Sequence, residues 1–418
     1  MPKATDFKEK IKADISTNRD EIKELGPGLI TGGAGDDPAG IVTYAMIGAT
    51  TGFSQLWLLL LSTPMMVAIQ NSIAHIAIVT GKSLPELTTA FYSKKLTTFM
   101  IVILALANIL TIGADLEAIS AIFSVISGRN TLYFLIPITA LIAYLVMYYS
   151  YKTIKKVLIS LTVVLAVYIV NAILSKPDIA TVIVNTFIPH IELNSAWVMA
   201  ALGLLGTTIS PYLMFWQASE EKEEHKTIVQ AKSVTADTIV GMTYSNLLAY
   251  CMIISGAVVL YGHTVSVDTI SRLASALKPV SSKYAFALFS LGVVVSGFLA
   301  IPVLAGSTAY AVADAFGWRE GMDNKISDAK GFYSVFLGAM LIGDFIDLSP
   351  LSVVDALYYS QVLDGILLPF LIVIILILSN NPKIMGSYTN GHFNNIFSIF
   401  TLIITVSLTL MMVWNLIK

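Results

Sequence analysis

Eleven apolar segments recur along the 418-residue chain, each close to the length that a membrane-spanning helix needs. A helix that crosses the hydrocarbon core of a bilayer needs about 20 predominantly apolar residues. Strand-type alternation is absent, which argues against a β-barrel. The pattern therefore predicts an all-α polytopic membrane protein. The predicted spans are 28–49, 53–79, 98–125, 130–149, 155–174, 195–217, 237–261, 284–312, 332–349, 352–379 and 391–417.

The composition excludes several classes of protein. Only 12% of the residues are charged, and a soluble protein, with about 25%, needs more polar surface than that. The net charge of -2 provides no basic field for a nucleic acid. No phosphate-binding loop, nucleophile elbow or Cys/His metal cluster occurs, so we expect neither an enzyme nor a resident cofactor. The single cysteine, Cys251, is expected to pack as a small apolar side chain.

Basic residues in the connections predict the orientation in the membrane. Residues 1–26 are polar and lack the apolar core of a signal peptide, so we interpret them as a cytosolic tail. With that tail inside, 19 of the 25 Lys and Arg residues fall in inner segments, as the positive-inside rule requires. Residues 27–418 are then one transmembrane domain of the plasma or inner membrane, with the C-terminus outside. Nothing in the sequence demands an oligomer.

The first span contains glycines, two carboxylates and a proline in the stretch Gly32-Gly33-Ala34-Gly35-Asp36-Asp37-Pro38-Ala39-Gly40. Proline removes a backbone donor and clashes with the preceding turn, and glycine weakens the helix further. Freed backbone groups have no partners in lipid. Aspartate at the bilayer centre costs about 2.5 to 3.5 kcal/mol on insertion scales. We therefore predict a broken helix that lines a cavity or the protein interior.

The sixth span repeats this pattern in Gly206-Thr207-Thr208-Ile209-Ser210-Pro211-Tyr212. Five spans separate the two breaks. Interrupted helices at corresponding positions in two halves are the pattern of an inverted-repeat transporter whose site lies at the bilayer midplane. Unwound backbone carbonyls at such breaks can coordinate a cation.

The chain resembles the Nramp family of proton-coupled divalent metal transporters over nearly its whole length. That family typically has Asp-Pro-Gly-Asn at 37–40 and Gly-Ala-Thr-Val-Met-Pro-His at 206–212. The resemblance implies a LeuT-type fold of five plus five inverted helices with one extra, about eleven spans in all, broken in helices 1 and 6. The motifs that carry it are Gly26-Pro27-Gly28, Asp37-Pro38-Ala39-Gly40, Thr80-Gly81-Lys82, Ala114-Asp115-Leu116, Gly206-Thr207-Thr208-Ile209-Ser210-Pro211-Tyr212, Ser360-Gln361-Val362 and Leu368-Pro369-Phe370.

The resemblance also implies a set of site residues. Asp37 would be the metal-binding carboxylate, and Ala34 and Thr207 would offer backbone carbonyls. Gln361 would add an amide oxygen in the occluded state, and Asp115 would match an acid on the proton route.

Departures from the family pattern bear on the choice of metal. The family's asparagine is Gly40 here and its methionine is Ser210. A thioether favours soft transition metals, whereas oxygen ligands suit Mg²⁺, Ca²⁺ and Mn²⁺. We expect an all-oxygen site with charge from Asp37 and also from Asp36, which keeps Mg²⁺ and Fe²⁺ as candidates beside Mn²⁺. Asp364, three residues after Gln361, is a further candidate for the cavity.

Proton coupling is left open by the sequence. The family's histidines in the sixth span are Tyr212 and Gln217 here, and neither side chain titrates near neutrality. Glu117 lies two residues from Asp115, a spacing that puts the two acids on nearly opposite helix faces.

We therefore expect a secondary transporter that imports divalent metal ions by alternating access, by proton symport or as an uncoupled carrier. The alternatives are an organic-solute or amino-acid transporter of the same fold, and a metal sensor without flux. Asp37 disfavours the first because it would repel a substrate carboxylate.

Overall fold

The computed structural model describes residues 26–262, 285–346 and 352–417, and these ranges contain helices but no strand. The predicted cytosolic tail falls almost wholly outside the described residues, as does the C-terminal residue 418. The helices are α1 Pro27–Ala34, α2 Pro38–Thr51, α3 Leu56–Thr80, α4 Leu84–Phe91, α5 Lys94–Ser127, α6 Leu132–Tyr148, α7 Tyr151–Val164, α8 Val167–Leu174, α9 Ile179–Phe187, α10 Ser195–Thr208, α11 Pro211–Glu223, α12 Ala231–Leu260, α13 Ala285–Phe316, α14 Lys330–Ile346, α15 Val353–Ser379, α16 Pro382–Met385 and α17 His392–Ile417, with a short 3₁₀ turn at Ile228–Gln230.

Eight helical stretches of the described chain are long and apolar enough to cross a membrane, and the shorter α6 is also apolar. The prediction of an all-α polytopic protein is confirmed. The fifth predicted span is interrupted between α7 and α8. There the Tyr244 hydroxyl donates a 2.8 Å hydrogen bond to the Thr162 carbonyl, which also accepts the Leu165 N–H at 3.2 Å.

Both predicted helix breaks are present, and each second half begins in the same way. Asp37 is the N-cap of α2, where its carboxylate accepts the Gly40 N–H, and Pro38 follows at the first helical position. Ser210 and Pro211 occupy the equivalent positions of α11. Proline is favoured there because that N–H has no helical partner. The proline of each dipeptide therefore starts the second helix without removing a helical hydrogen bond.

The broken helices lie at the centre of the bundle and pack through glycines. Gly32 meets the backbone of Gly241, and Gly48 meets that of Gly256, so α1 and α2 touch α12 on both sides of the first break. Gly206 packs in the same way on the α15 backbone beside Gly365. Small residues at helix interfaces allow such close approach in membranes.

Gly206→Ala is expected to lower the thermal stability of the protein sharply. Its Cβ would lie 3.0 Å from Gly365 Cα and closer still to two other backbone atoms of α15. Overpacking against backbone costs about 3 kcal/mol or more. Thermal unfolding in detergent measures the loss. The matched control is Gly338→Ala on α14, where an added Cβ has no neighbour within 4 Å. Equal melting temperatures for the two variants would contradict the packing described here.

A lysine joins three carboxylates from separate segments at the end of α11. Lys222 Nζ lies 2.9 Å from Glu86 Oε2, 3.0 Å from Asp314 Oδ1 and 2.7 Å from Glu320 Oε1. We call these four residues the Lys222 cluster. Neighbouring Glu223 accepts a hydrogen bond from the Tyr310 hydroxyl of α13. Several polar contacts thus tie α11 to α4, to α13 and to the connection after α13 at this end.

Glu320 makes the Lys222 cluster pH-sensitive. Burial and the nearby Asp314 raise the pKa of Glu320 to about 8. A carboxyl group whose pKa is raised by folding stabilises the fold fully below its unfolded pKa, and this contribution is lost as pH rises through the folded pKa. We expect the melting temperature to fall between pH 6 and pH 9, and Glu320→Gln to flatten this fall. Glu192→Gln, at an exposed position, is the control; an unchanged slope in Glu320→Gln would contradict the assignment.

Candidate metal site

Asp37 stands at the gap between α1 and α2 and is buried. Its Oδ1 accepts the Gly40 N–H, while its Oδ2 lies 3.4 Å from the Tyr212 hydroxyl of α11. One carboxylate oxygen is thus held by the start of α2, and the other faces the second broken helix. The carboxylate bridges the two breaks.

Tyr212 links the two broken helices a second time. Its hydroxyl donates a 2.6 Å hydrogen bond to the Ala34 carbonyl at the end of α1. This carbonyl is one of the backbone oxygens that the family resemblance implies at the site. The same tyrosine therefore lies within reach of Asp37 Oδ2 and of the Ala34 oxygen.

The other break contributes Thr207, Ser210 and, from α15, Gln361. The Ser210 hydroxyl donates to the carbonyls of Gly206 and Thr207 at 2.8 Å each. Thr207 Oγ1 donates to Gln361 Oε1 at 3.1 Å. A Cβ on Gly40 would lie 2.7 Å from the Thr207 methyl. These contacts bring Gly40, Thr207, Ser210 and Gln361 together beside Asp37.

Asp115 of α5 reaches the same region. Its Oδ1 accepts a 2.9 Å hydrogen bond from the Ala39 N–H in the first turn of α2, and its Oδ2 has no hydrogen-bond partner within the described part of the chain. The carboxylate thereby satisfies one of the N–H groups that a helix start leaves unpaired. Asp115 is thus joined to the first break through the backbone.

Two of the predicted residues, Asp36 and Gln217, contact α12. The Asp36 carboxyl interacts with Ser245 of α12. Gln217 Nε2 donates to Thr238 Oγ1 at 2.9 Å, which turns its amide toward α12. Glu117 is half-buried, whereas Asp115, two positions earlier, is fully buried. For these three, roles at the metal or on a proton route stay predictions.

Two further side chains enter the site. Tyr212 was expected only as the replacement for a histidine, and no sequence pattern shows that its hydroxyl holds the Ala34 carbonyl. Asp364 of α15 is buried, interacts electrostatically with Asp37 and has an unpartnered Oδ1. Its spacing of three from Gln361 was the signal for it, since residues three apart share a helix face.

The carboxyl groups in this region have no cationic partner among the described residues. None of the ion pairs among the described residues involves Asp36, Asp37 or Asp115. Nor do three His, Cys, Asp or Glu side chains of the described ranges converge as a metal cluster. The oxygens gathered here belong to one central carboxylate, backbone carbonyls, an amide and hydroxyls. Such ligands suit hard cations.

The family model for natural resistance-associated macrophage protein-like (Nramp) proteins matches residues 28–415. The chain belongs to the Nramp family. That membership puts it among membrane transporters and not among enzymes. Relatives named divalent metal cation transporter MntH include one from Caldanaerobacter subterraneus, 23% identical over 88% of this chain and 87% of its own length. Another, from Clostridium acetobutylicum, is 25% identical over 93% of this chain and 90% of its own length.

Solved structures of Nramp and related transporters share the fold. The manganese transporter of Eremococcus coleocola superposes with a TM-score of 0.77 at 18% identity, over 92% of this chain and 85% of that one. MhsT, crystallised with L-phenylalanine, gives a TM-score of 0.64 at 12% identity, over 93% of this chain and 98% of that one. The predicted LeuT-type fold with broken helices 1 and 6 is confirmed.

Proposed function

We propose that this Nramp protein imports divalent metal ions by alternating access, with the Asp37 carboxylate as the anchoring ligand. The observation that carries the proposal is a buried carboxylate between two helix breaks, with no ion-pair partner in the described chain. An isolated buried charge is costly unless a counter-ion joins it. A divalent cation supplies that counter-charge. The names of the MntH relatives and of the Eremococcus transporter support the same class of cargo.

The remaining ligands in our proposal come from the two breaks and from α15. They are the carbonyls of Ala34 and Thr207, the Ser210 hydroxyl and the Gln361 amide oxygen. Each of these groups already has one hydrogen-bond contact. A carbonyl oxygen can accept a second interaction because it has two lone pairs. Hydrogen bonds would thus already hold these ligand oxygens in place before the metal binds.

Mn²⁺ is the cargo that we propose first, with Mg²⁺ and Fe²⁺ as further candidates. The name of the Eremococcus transporter supports manganese. The absence of a thioether at Ser210 supports a hard ion, and Mg²⁺ in particular keeps several of its waters. Uptake of Mn²⁺ and Mg²⁺ into proteoliposomes at matched concentrations tests which of the two ions the protein prefers. Uptake of neither ion would overturn the proposal, and uptake of a labelled amino acid would favour the organic-solute alternative.

Proton coupling is tested in the same vesicles with an internal pH dye. Tyr212 and Gln217 replace the family's histidines, which supports uncoupled carriage, while Asp115 supports a proton route. Acidification of the lumen together with metal entry would establish symport. Metal entry without acidification would establish an uncoupled carrier.

Ser210→Met is expected to shift selectivity toward soft ions. The substitution supplies a thioether and frees the two carbonyls that the Ser210 hydroxyl holds. We expect Cd²⁺ to compete with Mn²⁺ roughly tenfold better, equivalent to about 1.4 kcal/mol. Competition uptake measures the shift. Ser210→Ala, which frees the carbonyls without adding sulfur, is the control. The same selectivity series in both variants would contradict the ligand assignment.

We also propose a cytoplasmic N-terminus, an external C-terminus and a single transmembrane domain. The excess of basic residues in the presumed inner segments supports this orientation. The Lys222 cluster would then lie on the cytoplasmic side. Labelling of single cysteines introduced at Lys152 and at Glu192 by an impermeant reagent tests it, since the two positions should react from opposite sides.

A further inference from the structure

Asp237 of α12 is a buried carboxylate that holds the start of α1. Its Oδ1 accepts the Gly26 N–H at 3.1 Å and the Leu29 N–H at 3.2 Å, and its Oδ2 accepts the Gly28 N–H at 2.8 Å. The residue between these donors, Pro27, has no N–H. One carboxylate, more than 200 positions away in the chain, therefore satisfies every backbone donor that the start of α1 leaves unpaired at residues 26–29.

Glycines let α1 come close enough to α12 for these hydrogen bonds. A Cβ on Gly28 would lie 2.6 Å from the backbone nitrogen of Thr238 and 2.8 Å from the carbonyl carbon of Asp237. A Cβ on Gly241, one turn further along α12, would meet the Gly28 carbonyl oxygen. The backbones of α1 and α12 are therefore in direct contact beside the carboxylate, and this contact sets the position of α1 along α12.

The other end of α1 carries a proposed metal ligand. The helix has only eight residues, so it is a rod about 12 Å long. At its far end the Ala34 carbonyl accepts the 2.6 Å hydrogen bond from the Tyr212 hydroxyl. A displacement of the start of so short a helix carries its last carbonyl with it. The hold of Asp237 on the first turn therefore helps to place the Ala34 oxygen at the break.

The next residue of α12, Thr238, holds the second broken helix. Gln217 Nε2 of α11 donates to Thr238 Oγ1 at 2.9 Å, and the Thr238 hydroxyl donates to the Val234 carbonyl at 3.0 Å. Gln217 and Thr238 are both fully buried. Gln217 lies five positions after Tyr212, whose hydroxyl is 3.4 Å from Asp37 Oδ2. The helix segment that α12 holds through Gln217 therefore also carries the tyrosine of the metal site.

We propose that Asp237 and Thr238 are positioning residues for the metal site, because this adjacent pair on α12 places α1 and α11 relative to each other. Asp237 is not itself a metal ligand in this proposal, since the whole of α1 separates it from the break and both of its oxygens already accept hydrogen bonds. The pair acts through the Ala34 carbonyl and through Tyr212. The proposal rests on the proposed function, because it concerns the metal affinity of that same site.

The KM for Mn²⁺ uptake into proteoliposomes tests the proposal. Asp237→Ala is expected to raise this KM by about tenfold, the lower end of the range for residues that orient metal ligands. A purely structural defect would lower the amount of active protein, and so the maximal rate, but would leave the KM of the folded fraction unchanged.

Thr238→Val keeps the size of the side chain and removes the hydroxyl that Gln217 binds, so it keeps the test decisive if Asp237→Ala does not fold. We expect it to raise the KM by roughly threefold, within the same range of effects. Thr238→Ser restores the hydroxyl and is expected to return the KM to the wild-type value. An unchanged KM in either folded variant, Asp237→Ala or Thr238→Val, would overturn the proposal.

Amide hydrogen exchange of the purified full chain, without metal, tests the hold on α1 separately from transport. Asp237→Ala is expected to speed exchange at residues 26–29 by about tenfold, because their N–H groups lose their acceptor. The matched control is Asp344→Asn, since Asp344 is also a buried acid but lies on α14 and accepts a 2.9 Å hydrogen bond from Thr139. It should leave both the KM and the exchange of α1 unchanged.

The two measurements separate this proposal from the proposed function. Absence of Mn²⁺ and Mg²⁺ uptake by the wild type would contradict the proposed function, and hydrogen exchange would still show whether Asp237 holds α1. Unchanged exchange at residues 26–29 in Asp237→Ala would overturn the positioning role even if the wild type transports metal.

Discussion

Asparagine at position 37 is expected to lower divalent metal uptake by about a hundredfold or more. The substitution keeps the size of the side chain and its capacity to cap α2, but removes the charge that faces Tyr212 and the second break. Even indirect partners of metal ligands change affinity by about 10- to 100-fold, so loss of the central anion should cost at least as much. Initial rates of Mn²⁺ uptake into proteoliposomes, at equal protein incorporation, measure the effect.

The control for Asp37→Asn is Asp355→Asn, which removes an exposed acid at the start of α15. Its Mn²⁺ uptake rate is expected to stay within about twofold of the wild-type rate, because an exposed charge is screened by solvent. Wild-type uptake by Asp37→Asn would remove the central ligand from the proposed mechanism. Equal losses in the two variants would point to a general charge effect and not to a site.

Restoring the family's asparagine at Gly40 is expected to abolish most activity when made alone. A Cβ at this position would lie 2.7 Å from the Thr207 methyl and 2.9 Å from Asp37 Oδ1. Thr207 cannot rotate freely away because it is buried and β-branched. Overpacking costs about 1 to 3 kcal/mol, and here one of the two displaced atoms belongs to the Asp37 carboxylate, the proposed metal ligand. We expect uptake to fall by roughly tenfold or more on this energy scale.

The double variant Gly40→Asn with Thr207→Ala is expected to recover uptake relative to Gly40→Asn. The family usually has alanine where this chain has Thr207, so the second change removes the clashing methyl and recreates the family pair. Thr207→Ala alone is the control, since it loses only the 3.1 Å hydrogen bond to Gln361. A double-mutant cycle on uptake rates gives the coupling between the positions. Independent, additive effects would show that the two residues do not share space.

The two helix breaks could be predicted from the sequence because their causes are local. Glycine and proline act on the chain in which they occur, and Asp37 caps the helix that follows it within three residues. The residues near the breaks follow from the same patterns together with the family resemblance. For these reasons the sequence predicts Ala34, Thr207 and Gln361 beside Asp37.

The orientation of each helix about its own axis could not be predicted from the sequence. This orientation decides which side chains contact one another. Asp36 and Asp37 are adjacent in the chain, yet their side chains contact different helices, because the break turns the backbone between them. Gln217 occupies the position of a family histidine, but its amide donates to Thr238 of α12. The Lys222 cluster joins residues more than 200 positions apart, from Glu86 to Glu320, and no short-range pattern indicates such contacts.

The glycine contacts on both sides of the first break limit how the transporter can move. Gly32 meets Gly241 and Gly48 meets Gly256, so both halves of the broken helix pack on the same neighbour, α12. Tilting either half alone would lift its backbone from α12 and lose those close contacts, which costs free energy. A change between outward and inward access that moves α1, α2 and α12 together keeps the contacts and avoids this cost.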